Sequence, residues 1–198
     1  MTTETQTQEK IILAASELFM TQGIKKTSLD EIAQRAGVTR ITVYRYFADK
    51  RDLVRAAFLH SEQVFERTRR DLEQHPGRSM EEYLDQIGRD LGALPPTSPA
   101  ARADELRRLY PDIYAEYQQL RLAVEGDLFD RLLALAEQNG QLRPGINREV
   151  AHAIFWEILE NLFENPRLQQ LGLTDAELYI TVKDVLLYGI MKQKPPGG

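Results

Sequence analysis

The stretch that decides the fold is Leu29-Asp30-Glu31-Ile32-Ala33-Gln34-Arg35-Ala36-Gly37-Val38-Thr39-Arg40-Ile41-Thr42-Val43-Tyr44-Arg45-Tyr46-Phe47. Ser28 and Glu31 at its start form a capping box, the serine oxygen accepting from the Glu31 amide while the glutamate reaches back. This predicts a short helix that ends at Gly37, and Thr39 caps a second helix running to about Tyr46. Two helices joined by so tight a turn cross at a steep angle. The crossing leaves room only for a small side chain, which suits Ala33. The turn needs a positive φ, which Gly37 adopts without strain. Val43 then plugs the second helix into the angle beside Ile32 and Val38. The pattern predicts a helix-turn-helix.

Charge supports the same reading. The chain has 198 residues, no cysteine and a net charge of -5. From Lys25 to Arg55 there are eight basic residues (Lys25, Lys26, Arg35, Arg40, Arg45, Lys50, Arg51, Arg55) against four acids, a net +4 that leaves −9 for the remainder. A basic island on an acidic chain steers a polyanion to one face. A lack of cysteine excludes a disulfide framework, thiolate catalysis and Cys-ligated zinc. No stretch approaches the roughly 18 apolar residues of a membrane span, and Met1–Lys10 lacks the apolar centre of a secretory signal. The expectation is a soluble, cytoplasmic protein.

Working outward, helical signals continue and strand signals stay weak. A first helix is predicted from about Gln8 to Gln22, stopped by Gly23 and preceded by a frayed tail over Thr2–Gln8. Asp49 caps a helix that reads through to about His75, before Pro76-Gly77. Ser79–Glu82 opens another to about Leu94, where Pro95-Pro96 forbids continuation. Ser98-Pro99 starts a short one ending near Tyr110. Pro111 begins a long one to Asn139-Gly140. Asn147 caps a helix to about Phe163, and the box Thr174–Glu177 opens a last helix to about Lys192. The segment Lys194–Gly198 reads as a second tail. The fold class is all-α, with nine or ten helices.

Residues Glu9 to about Phe58 resemble the N-terminal domain of the TetR family of transcriptional repressors. The matching stretches are Ile12–Phe19, Gly23, Thr27–Ala33, Ala36–Thr39, Val43–Phe47 and Asp49–Leu53. The resemblance implies a three-helix DNA-binding domain over 1–54 and a larger helical regulatory and dimerisation bundle over 55–198. The second helix of such a motif lies in the major groove with its first residues at base edges. Thr39, Arg40, Ile41 and Thr42 take that place. Arg40 has the geometry for a bidentate contact to guanine, and Ile41 offers only apolar contact. Tyr44, Arg45 and Tyr46 suit phosphates, most clearly Tyr44 by resemblance. Tyr46 is read equally as core, and Phe47 as core. Lys50, Thr27 and Ser28 stand at helix starts, where a phosphate is favoured.

In the acidic remainder, the resemblance implies a small-molecule site and dimerisation through the last two long helices. Helix 147–163 carries Val150, Ala151, Ile154, Phe155 and Ile158; helix 175–192 carries Tyr179, Ile180, Val182, Val185 and Leu187. Both stripes are wider than one core-facing side needs, which fits a two-fold four-helix interface between copies, with a larger intramolecular core as the alternative. Tyr83, Ile87, Leu91, Tyr110, Tyr114, Tyr117 and Trp156 are candidate lining for an apolar or aromatic effector, with ordinary core as the alternative at each. His60, His75 and His152 lack metal-ligand spacing, and no cofactor, metal site or catalytic constellation is expected, so the chain does not read as an enzyme. The expected function is a homodimeric repressor released from a palindromic double-stranded operator by a small molecule. The alternative is a ligand-blind DNA-binding dimer, or an activator, controlled by a protein partner.

Overall fold

The computed structural model describes residues 3–75, 77–92, 99–161 and 165–190. Among them are eleven helices: α1 (Thr3–Gln22), α2 (Leu29–Ala36), α3 (Arg40–Tyr46), α4 (Lys50–Ser61), α5 (Gln63–Gln74), α6 (Met80–Gly92), α7 (Pro99–Leu109), α8 (Pro111–Gln138), α9 (Arg148–Asn161), α10 (Pro166–Gln170) and α11 (Asp175–Ile190). The fold is all-α. None of the described helices is long and apolar enough to cross a membrane. The sequence expectations at Pro76, at Leu94 to Ser98, at Leu162-Phe163 and from Met191 onward lie outside the described residues, as do Met1 and Thr2.

The capping residues act where the sequence put them. Ser28 Oγ accepts from the Glu31 amide at 3.2 Å while Glu31 accepts from the Ser28 amide at 2.7 Å. The boxes Ser79–Glu82 and Thr174–Glu177 close in the same way. Thr39, Asp49 and Asn147 each accept from an amide three residues on. Gly37 ends α2 in the left-handed region at φ 68°.

Three elements differ from the sequence expectation. Residues 3–8 continue α1 rather than fray, because extending an established helix costs little beside nucleating one. The single helix expected from Asp49 to His75 is two, α4 and α5. The Ser61 hydroxyl donates back to the Phe58 carbonyl at 2.6 Å, and Glu62 turns the chain between them. The short α10 was not anticipated, although Asn165 caps it at 3.0 Å and Pro166 occupies its first position.

By compactness the chain divides into two units, Met1–Gln63 with Pro95–Leu120, and Val64–Leu94 with Arg121–Gly198. This division falls elsewhere than between residues 54 and 55, which lie inside α4.

In the first unit, α1 packs on α2 and α4, and α2 crosses α3. The centre is apolar: Phe19, Ile32, Val43, Phe47, Phe58 and Leu106 are buried. Ala33 is buried at the α2–α3 crossing and Val43 fills the angle, as the turn geometry requires. The start of α8 meets α4 through Arg51–Asp112 and Arg55–Glu116, with Phe58 edge-on to Tyr117 at 5.7 Å. Both ion pairs are exposed and screened by solvent, so each contributes little to stability.

The second unit has its own core around Met80, Tyr83, Ile87, Phe129 and Leu133. Phe155 of α9 stacks on Phe129 at 3.8 Å. On α11, Tyr179 donates to the Leu84 carbonyl at 2.8 Å and Lys183 pairs with Asp85 at 2.8 Å. Burial pushes the Tyr179 hydroxyl well up, so it stays a neutral donor. A Cβ at Gly126 of α8 would collide with the Trp156 indole, whose N–H faces the His152 ring nitrogen Nε2.

Candidate nucleic-acid interface

The side of α3 opposite Val43 is bare. Arg40, Ile41, Tyr44 and Arg45 are exposed, and Ile41 is 78% exposed, the largest value among the described large hydrophobic residues. An isolated apolar side chain so open, flanked by cations, has no partner within the domain's core to explain its identity. Thr39 Oγ1 lies 2.9 Å from Thr42 Oγ1 and accepts from the Thr42 amide at 3.1 Å, which fixes both hydroxyls at the head of α3. Arg40 donates to Asp30 Oδ2 at 2.8 Å and to the Tyr44 hydroxyl at 3.3 Å, with its guanidinium carbon 5.6 Å from the Tyr44 ring centre. Tyr46 is half-buried against the core and Phe47 fully within it.

Lys50 begins α4, where a cation opposes the helix dipole. Partial burial pushes its ammonium down, and the carboxylates of Glu105 and Glu31 oppose that shift. Ser28 is exposed at the start of α2, but its amide and hydroxyl are both engaged by Glu31.

Thr27 requires a correction. It is buried, and its hydroxyl donates to the carbonyls of Gly23 at 2.8 Å and Leu18 at 3.2 Å, while its amide faces Gly23. These bonds turn Thr27 into the core as a brace for the α1–α2 turn, so it presents no donor to a phosphate.

Two residues that sequence reasoning passed over shape this surface. Asp30 is one, as the partner of Arg40. The other is Glu105 on α7, whose carboxylate accepts from the amides of Ile24 and Lys25, both at 3.0 Å, and pairs with Arg102 at 2.8 Å. Gly23 completes this clasp: its φ is +99°, and a Cβ there would lie 2.8 Å from Arg102 Nη1. Burial pushes the Glu105 carboxyl up, but the two amides and the Arg102 guanidinium outweigh it, and the net shift is downward. Nothing local signals Glu105, which lies some eighty positions along the chain from its partners.

The candidate effector residues divide between the units. Tyr110, Tyr114 and Tyr117 pack against the core of the first. Arg51 lies over the Tyr110 ring at 5.6 Å, and Tyr114 accepts from Gln118 at 3.0 Å. Tyr83, Ile87 and Leu91 belong to the second unit, where the Tyr83 hydroxyl donates to the His75 carbonyl at 2.6 Å and Arg78 covers its ring at 4.7 Å. Trp156 is half-buried on α9.

Comparison with known proteins bears directly on this surface. Residues 11–57 match the family model described as bacterial regulatory proteins, tetR family. The repressor BepR of Brucella suis is 29% identical over 173 residues, 75% of each chain. The N-terminal segment of this chain is therefore similar to the DNA-binding domain of the TetR family. Other curated TetR-like regulators are 41–50% identical over 48–54 residues, about a quarter of this chain. Among solved structures, a TetR regulator of Mycobacterium vanbaalenii is 26% identical with a TM-score of 0.59, covering 86% of this chain and 96% of its own. SmeT of Stenotrophomonas maltophilia in complex with triclosan shares the fold at 23% identity and a TM-score of 0.61, covering 98% and 96%. The chain is therefore a DNA-binding transcriptional regulator, and α2–α3 is its helix-turn-helix.

Proposed function

We propose that the protein is a homodimeric repressor that binds a palindromic operator through α3 and is released by an apolar or aromatic small molecule. The observation that carries this reading is the bare face of α3, an open Ile41 framed by Arg40, Tyr44 and Arg45 on the basic island. Thr39, Arg40, Ile41 and Thr42 meet base edges; an isoleucine there fits a thymine methyl and rejects a polar edge. Tyr44, Arg45 and Lys50 meet phosphates, with Ser28 at the rim and Tyr46 supporting from behind.

The dimer rests on α9 and α11, each of which has two apolar faces. Ala151 and Phe155 of α9, and Tyr179, Val182 and Leu187 of α11, face the core of their own unit. Val150 and Ile154 on α9, and Ile180 and Val185 on α11, remain exposed. Self-association of these faces supplies a cover of matching chemistry, and two-fold symmetry gives the two heads that a palindrome demands.

The complex of SmeT with triclosan supports effector release over control by a protein partner. Tyr83, Ile87, Leu91, Tyr110, Tyr114, Tyr117 and Trp156 are the residues offered for effector recognition. Release requires that the effector bind the DNA-competent and DNA-incompetent states with different affinity. The test is a mobility shift on the DNA flanking the protein's own gene, followed by a screen of apolar and aromatic compounds for release. Protection of an inverted repeat and release by such a compound is the expected result. Binding that no compound weakens would overturn the effector reading, and absence of sequence preference would overturn the operator reading.

A further inference from the structure

Arg40 is held by two helices at once. Its Nη1 donates to Asp30 of α2 at 2.8 Å, its Nη2 donates to Tyr44 one turn further along α3 at 3.3 Å, and the Tyr44 ring lies beneath it. A guanidinium carries five N–H donors. Two are engaged here, which leaves enough for the two parallel bonds that guanine O6 and N7 accept. Asp30 is not needed to start its own helix, because Ser28 and Glu31 already form the capping box. It stands exposed on a surface that must approach a polyanion, where a carboxylate is electrostatically unfavourable. Its one partner-specific act is to fix Arg40.

We propose that Asp30 is a specificity-determining positioning residue: it latches the Arg40 guanidinium along the α3 face, presenting it to a base edge and withholding it from phosphates. An unlatched arginine at the head of a recognition helix swings freely and finds the nearest phosphate on any sequence. A latched one is charge-neutralised as a pair, so it adds little to non-specific attraction and gains only where a base edge matches its fixed donors. The latch thus converts a general clamp into a reader. The Tyr44 hydroxyl, accepting from Arg40, keeps its own proton for a phosphate oxygen. This inference rests on Arg40 reading a base, and the variants below separate the two.

The experiment compares the wild-type chain with Asp30→Asn, Asp30→Glu and Arg40→Ala on two probes: a duplex that the wild type recovers from a randomised library, and a shuffled duplex of the same length and composition. Asp30→Asn is expected to tighten binding to the shuffled duplex and to reduce the ratio of selected to shuffled affinity by about three- to fivefold, the most that an exposed ion pair can hold. Its salt slope on the shuffled duplex should steepen by about one, as one more cation reaches a phosphate. Selection with Asp30→Asn should lose preference at the same base position as Arg40→Ala, while Asp30→Glu keeps it. Equal changes on both duplexes with an unaltered slope would overturn the latch. An Arg40→Ala chain with undiminished preference at every position would overturn the reading of Arg40 instead. Thermal melts of each variant identify any that lose the fold, and Asp30→Ala, which also removes the carboxylate, repeats the test should Asp30→Asn be one of them.

Discussion

Removing the Glu105 carboxylate is expected to loosen the whole α1–α2 turn, and the structure sets the size of the effect. Glu105→Ala strips the acceptor from two amides and the partner from Arg102. Ile24 is buried, so its amide is left without ready access to water, which costs about 1–3 kcal/mol. Lys25 is exposed and water replaces the acceptor there at little cost. Arg102, largely covered, loses its compensating charge and adds roughly 1 kcal/mol. The sum is about 2–4 kcal/mol, or a fall of roughly 5–10 °C in melting temperature for a chain of this size. Glu105→Gln keeps one acceptor oxygen and should fall about half as far. The Glu105 carboxyl sits below its ordinary value when folded. Its contribution is therefore complete above the ordinary glutamate value of about 4.3 and fades as pH drops through the lowered one. Urea unfolding followed by far-ultraviolet circular dichroism at neutral pH and near pH 3.5 reads both effects. A loss below about 0.5 kcal/mol at neutral pH, or a difference between wild type and Glu105→Gln that does not shrink in acid, would refute the reasoning.

Gly37→Ala should cost about 1–2 kcal/mol from backbone strain alone, because nothing lies within 4 Å of the added Cβ and φ is +68°; a neutral melt would mean the turn relaxes. Lys50→Ala should weaken all DNA sequences alike and reduce the salt slope by about one, and an unchanged slope in titrations at several salt concentrations would remove Lys50 from the phosphate set. Val185→Glu or Ile154→Glu should give monomers with lost operator affinity and unaltered helical content. Both side chains are more than half exposed in the single chain. A variant that still sediments as a DNA-competent dimer would exclude this face.

What the sequence could reveal depended on distance along the chain. Capping boxes act over three residues, so Ser28–Glu31, Ser79–Glu82 and Thr174–Glu177 were readable, as was Gly37 at its left-handed turn. The α4–α5 break was not, because it uses neither proline nor glycine but a serine hydroxyl bonded back to Phe58. Asn165-Pro166 did carry the signal for α10, an Asn cap followed by proline, within a segment too short to show periodicity. Thr27 looked like a surface donor by its place at a helix start. Its burial depends on the return of the chain past Leu18 and Gly23. On α3, the exposure of Arg40, Ile41, Tyr44 and Arg45 follows from the motif's spacing, whereas Asp30 and Glu105 find partners that no local pattern connects. The aromatic candidates stayed ambiguous for a related reason: core and pocket lining call for the same residue types.

The contact between Trp156 and Gly126 makes the molecule its own optical instrument. The chain has a single tryptophan, so emission excited selectively above the tyrosines originates wholly in the second unit. Its indole N–H faces His152, and its ring rests where α8 has no side chain. An effector that disturbs α8 or α9 will change the colour or quenching of that emission without any attached label. The helix-turn-helix has no tryptophan and is dark by the same measurement, so a change around α8 and α9 can be timed apart from DNA binding in one cuvette, the first by intrinsic emission and the second by a dye on the DNA.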